Sequence, residues 1–207
     1  MKNSRIWAVV ATLVVTFGAV SARADYAAGM KAYEKGDYAS ALQNFRDDKN
    51  PASMTMIGRM YDGGIGVDQN IKEAFKWYHK AAQRGDAKGI YFLGYKYYTG
   101  EAVKLDKPTA AKWFQKASDK GLAEANYMLG RMLCLGEGVK KDRKKGVALL
   151  RKAADQGYAD AQFLLGSLLY NGDGGPRNRE EGEGWLRKAA AQGHGKATQA
   201  LEMIKEK

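Results

Sequence analysis

Histidine and cysteine, which are frequent in catalytic and metal sites, are rare in this sequence. The histidines are His79 and His194, and the single cysteine is Cys134. Neither histidine has cysteine or acidic neighbours at ligand spacing, so we expect no metal site. A lone cysteine excludes an internal disulfide. We expect Cys134 to be a buried or half-buried thiol, and the alternative is a reactive thiol or an intermolecular bridge.

Two short motifs resemble ligand sites and fail the required spacing. The stretch 63–66 (GGIG) is glycine-rich like a phosphate loop, but no Gly-Lys-Ser/Thr follows it, so we interpret it as a turn. The polar group Asp173, Asn178, Glu180 and Glu181 lacks the spacing of a calcium loop. No serine stands in a nucleophile-elbow context. We therefore predict no catalytic, cofactor-binding or metal-binding residue.

The densest charge feature is a basic run at 140–145, interrupted once by Asp142. Such a run can be a docking patch for an anionic partner, namely lipid head groups, a polysaccharide or an acidic protein. The alternative is a solvated loop and helix start. The cations are Lys140, Lys141, Arg143, Lys144 and Lys145.

All these residues are embedded in a sequence repeat with a period of 36 residues that runs without a gap over 51–194. A fixed period of this length predicts a stacked-repeat protein. In each unit a first helix ends at a glycine-rich break, and a second helix ends at a glycine stop. The recurring residues are Gly58, Gly94, Gly130 and Gly166; Trp77, Trp113, Leu149 and Trp185; and Gly85, Gly121, Gly157 and Gly193.

The glycine inside each first helix needs a reason, because it costs roughly 1 kcal/mol relative to alanine. We expect close packing against the small residue of the second helix, which is Ala81, Ala117, Ala153 or Ala189. Other positions depart from the repeat. Ala102 replaces a loop glycine, and Gly146, Gly182 and Gly184 lie within second helices, where they predict looser third and fourth units.

The combined pattern is A-x-A-x-x-x-L-G-x-x-Y/L-x-x-G-x-G-V followed by A-x-x-W-x-x-K-A-A-x-x-G. It resembles the Sel-one-like repeat (SLR) family, which is related to the tetratricopeptide repeats, over residues 51–206. The resemblance implies an all-α fold, an α/α solenoid of stacked helix pairs whose first helices line a concave surface. It also implies a non-enzymatic adaptor that binds a protein partner and needs no cofactor.

The resulting domain prediction starts with a secretory signal peptide at 1–24, with cleavage between Ala24 and Asp25, and a retained anchor is the alternative. A tetratricopeptide-like capping helix pair follows at 25–50. The four repeats occupy 51–86, 87–122, 123–158 and 159–194, and a C-terminal capping helix occupies 195–207. The prediction places the mature chain in the periplasm or outside the cell, without an integral membrane segment and without nucleic acid.

Helical geometry also predicts a binding surface. If position 93 faces the core, positions 88 and 95 lie on the opposite side of the first helix, and residues at that phase vary between units. We call the candidate partner-binding set the first-helix strip: Arg59, Lys88, Tyr95, Glu124, Arg131, Asp160 and Ser167. Tyr91, Tyr127 and Phe163 are expected to pack between units.

The sequence therefore favours a scaffold or adaptor of the bacterial cell envelope. The alternative is a cell-wall ligand binder or a β-lactamase-like enzyme, as described for cysteine-rich exported relatives. Those relatives carry paired cysteines that this chain lacks. A third possibility is a structural spacer in an envelope complex.

Overall fold

The computed structural model describes residues 26–173 and 175–205. Over these residues the chain forms eleven helices and no strand, which confirms the all-α prediction. The predicted signal peptide at 1–24 lies outside the described residues. The helices are α1 (26–34), α2 (Tyr38–Asp47), α3 (Pro51–Gly63), α4 (Ile71–Gln83), α5 (Ala87–Thr99), α6 (Lys107–Asp119), α7 (Ala123–Leu135), α8 (Arg143–Asp155), α9 (Ala159–Asn171), α10 (Arg179–Ala191) and α11 (Gly195–Lys205).

Each second helix of a repeat starts at a side-chain cap of the same type. The cap residues are Asn70, Asp106, Asp142 and Asn178, and each accepts a hydrogen bond from the backbone N–H three residues later. Such a cap satisfies one of the free N–H groups of the first turn and contributes about 1 kcal/mol. The 36-residue period therefore also fixes where α4, α6, α8 and α10 begin.

The loops between first and second helices need left-handed backbone. Gly136 ends α7 with a φ of 80°, and Gly138 follows with a φ of 67°. Ala102 occupies the position of Gly138 one repeat earlier, and its φ is also 67°. It is the one non-glycine residue with a positive φ among the described residues. An alanine in this conformation is strained by roughly 1–2 kcal/mol.

The described chain forms two compact units, of which the first ends at Gly89 and the second begins at Ile90. The core of the first unit contains Phe45, Ile57 and Met60, each with no exposed surface. In the second unit Phe114 and Leu150 are likewise fully buried. Burying each of these side chains contributes about 1.5–3 kcal/mol. No helix within the described residues is long and apolar enough to cross a membrane.

The mid-helix glycines contact other residues than predicted. A Cβ on Gly130 would lie 2.9 Å from the carbonyl oxygen of Gly146, and one on Gly166 would lie 2.8 Å from that of Gly182. The predicted alanine partners are wrong for these glycines, and in the first repeat Ala81 instead faces the start of α5. A Cβ on Gly89 would lie 2.5 Å from the Cβ of Ala81.

The expectation that Gly146 and Gly182 loosen the third and fourth units is also wrong. These glycines face the mid-helix glycines directly, so α8 approaches α7 and α10 approaches α9 at backbone contact distance. A Cβ on Gly146 would lie 2.5 Å from the sulfur of Cys134. Gly184 differs, since a Cβ there would have nothing within 4 Å.

The last helix, α11, packs on the fourth repeat within the second unit. Ala197 is fully buried in a cluster with Leu186 and Ala189, and Leu201 and Ile204 pack partly buried against it. Glu202 stands where the repeat has its mid-helix glycine, and it is exposed. This arrangement is the one expected of a polar capping helix.

Candidate functional site

The first-helix strip is exposed to different extents along the chain. In the first unit Arg59 and Lys88 are exposed, and an Nη of Arg59 lies 3.6 Å from the sulfur of Met56. In the second unit Tyr95 is 38% exposed and is among the large exposed side chains of the described residues. Asp160 is exposed, whereas Glu124, Arg131 and Ser167 are half-buried.

Tyr95 belongs to an aromatic cluster on α5. Its ring centroid lies 6.3 Å from that of Tyr91 and 6.4 Å from that of Tyr98. Both neighbours also contact the buried ring of Phe114, at 5.6 and 6.3 Å. The exposed ring is thus supported from beneath by rings that are anchored in the core.

Arg131 is not a free surface cation. Its Nη2 donates a 2.7 Å hydrogen bond to the hydroxyl of Tyr98, and its guanidinium carbon lies 5.4 Å from the Tyr98 ring centroid. Its Nε is buried and has no hydrogen-bond partner among the described residues. The side chain is held in one orientation, at the cost of one unsatisfied donor.

The Tyr98 hydroxyl continues this network. It donates a 2.6 Å hydrogen bond to Glu137, whose carboxylate lies 3.5 Å from the Nζ of Lys107. The Tyr98 hydrogen bond, together with the Lys107 and Arg131 charges, lowers the pKa of Glu137 below its usual value. Two cations and one anion therefore surround one tyrosine at the end of α5.

Sequence analysis missed Tyr98, Glu137 and Lys107 as members of this site. Tyr98 occupies the repeat position that Cys134 occupies one unit later. Its hydrogen-bond partners, Arg131 and Glu137, lie 33 and 39 residues further along the chain. These offsets are the 36-residue period minus and plus three residues, which is about one helical turn. A search for polar pairs at one period plus or minus a turn would have found the network.

The next group along the second unit is also tyrosine-rich. The rings of Tyr127 and Tyr158 lie 5.3 Å apart. Burial, followed by the charge of Asp160, raises the pKa of Tyr158. Burial also raises the pKa of Tyr91 to about 12. These phenols remain neutral at physiological pH and keep their O–H groups as donors.

Asp160 and Ser167 are already engaged within the chain. A carboxylate oxygen of Asp160 lies 3.1 Å from Nε2 of His194, and the His194 ring stacks on Phe163 at 4.7 Å. The Ser167 hydroxyl donates to the carbonyl oxygen of Phe163 at 2.9 Å. Within the second unit, Tyr95 is therefore the strip residue that is most available to a partner.

The remaining candidate residues fall outside this face. His79 is exposed on α4 and stacks on Phe75 at 6.4 Å. Cys134 is a free thiol, 7% exposed, and burial raises its pKa, so the prediction of a buried cysteine is confirmed. In the described part of the chain, no group of three His, Cys, Asp or Glu residues is placed to hold a metal ion.

The basic run is exposed along its whole length. Lys140, Lys141, Arg143, Lys144 and Lys145 all project from the loop before α8 or from its first turn. Asp142 accepts a 2.9 Å hydrogen bond from the N–H of Lys145 and so serves as the helix cap. The single acidic residue of the run therefore has a local structural role.

Comparison with known proteins identifies the repeat. The family model of the Sel1 repeat matches residues 51–86, 87–122, 123–158 and 159–194. A crystal structure of a Sel1 repeat protein from Oxalobacter formigenes is 34% identical and superposes with a TM-score of 0.76, covering 82% of this chain and 70% of that one. The predicted solenoid of stacked helix pairs is confirmed.

Two further relatives are longer than this chain. A protective antigen of uropathogenic Escherichia coli with an SLR fold is 29% identical, with a TM-score of 0.76, covering 90% of this chain and 41% of that one. A sel1-like repeat-containing protein of Acanthamoeba polyphaga mimivirus is 34% identical over 71 residues, which are 34% of this chain and 13% of that protein. The chain thus spans less than half the length of these two relatives.

Proposed function

The chain belongs to the Sel1 repeat family, and from that membership we propose that it is a non-catalytic scaffold that binds a protein partner along the first helices of its second unit. Sel1 repeat proteins are generally protein-interaction scaffolds. The finer proposal concerns the surface of α5, α7 and α9 on which Tyr95 and Arg131 lie.

The observation that carries this proposal is that an exposed tyrosine, Tyr95, and a fixed arginine, Arg131, hold the same position in successive first helices. Tyrosine and arginine are the residue types enriched at the energetic centres of interfaces. Arg131 is already oriented by Tyr98, and Tyr98 by Glu137. A partner that docks here would not have to immobilise these side chains, and that cost otherwise amounts to about 0.5–1.5 kcal/mol for each side chain.

The chemistry of the surface supports a partner that offers both apolar surface and hydrogen-bond acceptors. The exposed ring of Tyr95 and the half-buried rings of Tyr91 and Tyr98 present aromatic area, and the Tyr95 hydroxyl can donate to a backbone carbonyl. Glu124 and Asp160 add negative charge on either side of Arg131 along the strip. This mixed pattern favours a protein over a uniformly charged polymer.

We further propose that the protein works in the bacterial cell envelope or outside the cell. The support is the sequence pattern of residues 1–24: a basic start, an apolar run, and small residues before Asp25. The alternative activity, β-lactam hydrolysis, is tested directly with nitrocefin. Turnover by the purified chain above that of a heat-denatured sample would overturn the non-catalytic proposal.

The test of the scaffold proposal is a crosslinking pull-down from envelope extract with matched variants. Tyr95→Ala removes the exposed ring, while Leu105→Ala removes an exposed leucine, 54% accessible, from the loop before α6. Circular dichroism first verifies that both variants fold. We expect a partner that the parent and Leu105→Ala capture and that Tyr95→Ala loses. A partner retained equally by both variants would contradict the proposed surface.

A further inference from the structure

The net charge of this protein is concentrated in one stretch of the second unit. Residues 104–152 contain thirteen lysines and arginines and five aspartates and glutamates, a net charge of +8. The remainder of 25–207 balances to zero. The whole excess charge of the predicted mature chain is therefore carried by α6, α7, α8 and the loops that join them.

A groove lies on this basic stretch, lined by residues of α6, α7, the loop after α7 and the first turn of α8. Its volume is about 400 Å³, which is within the range of ligand-binding clefts. The floor is apolar and contains Ala111, Leu129, Leu133 and Val139, while Lys112 of α6 and Lys145 of α8 stand at the rim. We call it the lysine-rimmed groove.

The rim lysines are exposed, and the nearby acidic residues have other roles. Lys112 and Lys145 are both solvent-exposed. Asp106 and Asp142 cap α6 and α8. Asp119 accepts a 2.7 Å hydrogen bond from Gln115, and Glu137 is bound by Tyr98. These carboxylates keep their charge, but the thirteen cations of 104–152 outnumber the five anions, so the net charge around the groove is positive.

We propose that the lysine-rimmed groove binds an acidic peptide segment that carries a large apolar side chain. The carboxylates would meet Lys112, Lys145 and the adjoining basic run, and the apolar side chain would enter the groove. Charge complementarity selects the acidic partner. An apolar side chain flanked by charges is also how amphipathic segments anchor in grooves between helices.

The groove geometry favours a peptide over a membrane surface. Leu129 and Leu133 on the floor are only 3% and 8% exposed. A layer of lipid head groups contacts what protrudes from a protein, and cannot reach recessed leucines. A protruding side chain on a peptide can reach them. The groove includes Leu129 and Leu133 of α7, but no residue of the first-helix strip lines it, so each proposal can fail without the other.

The experiment measures the binding of fluorescein-labelled peptides to the chain 25–207 by anisotropy. One probe interleaves glutamate with leucine, and a second has serine in place of each leucine. We expect the leucine probe to bind at least about tenfold more tightly, because one buried leucine contributes at least that factor. Equal binding of both probes would overturn the role of the groove.

Two double variants distinguish an effect of the charges at the groove rim from an effect of the net charge of the protein. Lys112→Glu with Lys145→Glu reverses the rim, whereas Lys72→Glu with Lys196→Glu changes the net charge equally at exposed sites outside 104–152. The rim variant should lose tenfold or more in affinity for the leucine probe, and the control should lose much less. Equal losses would show non-specific attraction and overturn the site.

A third experiment tests whether this surface binds an anionic membrane instead of a peptide. Phosphatidylglycerol vesicles are added to the parent chain in a flotation assay, at the physiological salt concentration that is also used for the peptides. Under these conditions we expect the leucine probe to bind and the vesicles not to bind. Persistent vesicle binding without peptide binding would replace the acidic peptide with a lipid surface.

Discussion

The Nη2 of Arg131 lies 2.7 Å from the hydroxyl of Tyr98, so the first helix of the third repeat is hydrogen-bonded to that of the second. The same hydroxyl donates to Glu137 at 2.6 Å. One phenol thus accepts from a cation and donates to an anion. This relationship makes the proposed binding surface part of the stable structure of the second unit.

Removing the hydroxyl with Tyr98→Phe should destabilise the protein. Arg131 loses its acceptor and Glu137 its donor, and hydrogen bonds to charged groups contribute about 1.5–3 kcal/mol each, less where solvent can replace them. We expect the free energy of unfolding in urea to fall by roughly 1–2 kcal/mol. Tyr95→Phe, on the exposed ring, is the matched control and should change it little. Equal effects of the two variants would contradict the network.

The network should also make stability depend on acidity. The pKa of Glu137 is lowered below its usual 4.5 in the folded protein. Its stabilisation is therefore present above pH 4.5 and is lost as the pH falls through the folded pKa. We expect Glu137→Gln to be less stable than the parent at pH 7, with the gap closing below pH 4.5. A gap that stays constant down to pH 3 would contradict this origin.

Two glycines of α10 should respond in opposite directions to the same substitution. A Cβ on Gly182 would lie 2.7 Å from the backbone nitrogen of Tyr170, whereas one on Gly184 would meet nothing within 4 Å. Gly182→Ala should cost about 1–3 kcal/mol by overpacking. Gly184→Ala should stabilise by about 0.5–1 kcal/mol through helix propensity. Thermal unfolding of both variants measures whether each substitution raises or lowers the stability. A stabilising Gly182→Ala would refute the close contact between α9 and α10.

Ala102→Gly should stabilise the second repeat. Ala102 holds a φ of 67°, which is the conformation of Gly138 one repeat later. Glycine removes the strain of roughly 1–2 kcal/mol but adds freedom to the unfolded chain, so a net gain of about 0.5–1 kcal/mol is expected. Gly138→Ala should do the reverse and more strongly, because a Cβ there would lie 2.5 Å from Lys107. Urea denaturation of the pair measures both changes.

Much of the fold was predictable because the repeat imposes one register on every unit. The phase of Gly94 and Trp113 fixed which segments are first and second helices, and the glycine breaks fixed the loops. The contacts of the mid-helix glycines were not predictable, because they depend on how closely each helix pair packs. Gly94 faces Trp113, while Gly130 faces Gly146.

The candidate surface was predictable only in outline. Helical phase placed Tyr95 away from the core, and it is exposed. The same phase placed Arg131 there, but its half-buried guanidinium is bound by Tyr98, which lies one turn away from the equivalent position. The position of a residue along its helix predicts the direction in which its side chain points. Which residues that side chain contacts depends also on the neighbouring helix. That the strip binds a partner stays a prediction.

Site-specific photocrosslinking tests the central claim most directly. A benzoylphenylalanine is placed at position 95 in one sample and at position 105 in another, and both are irradiated in envelope extract. We predict a discrete crosslinked protein from position 95 that is missing from position 105 and that excess unlabelled chain competes away. Equal products from both positions, or a discrete product from position 105 alone, would contradict binding along the first-helix face.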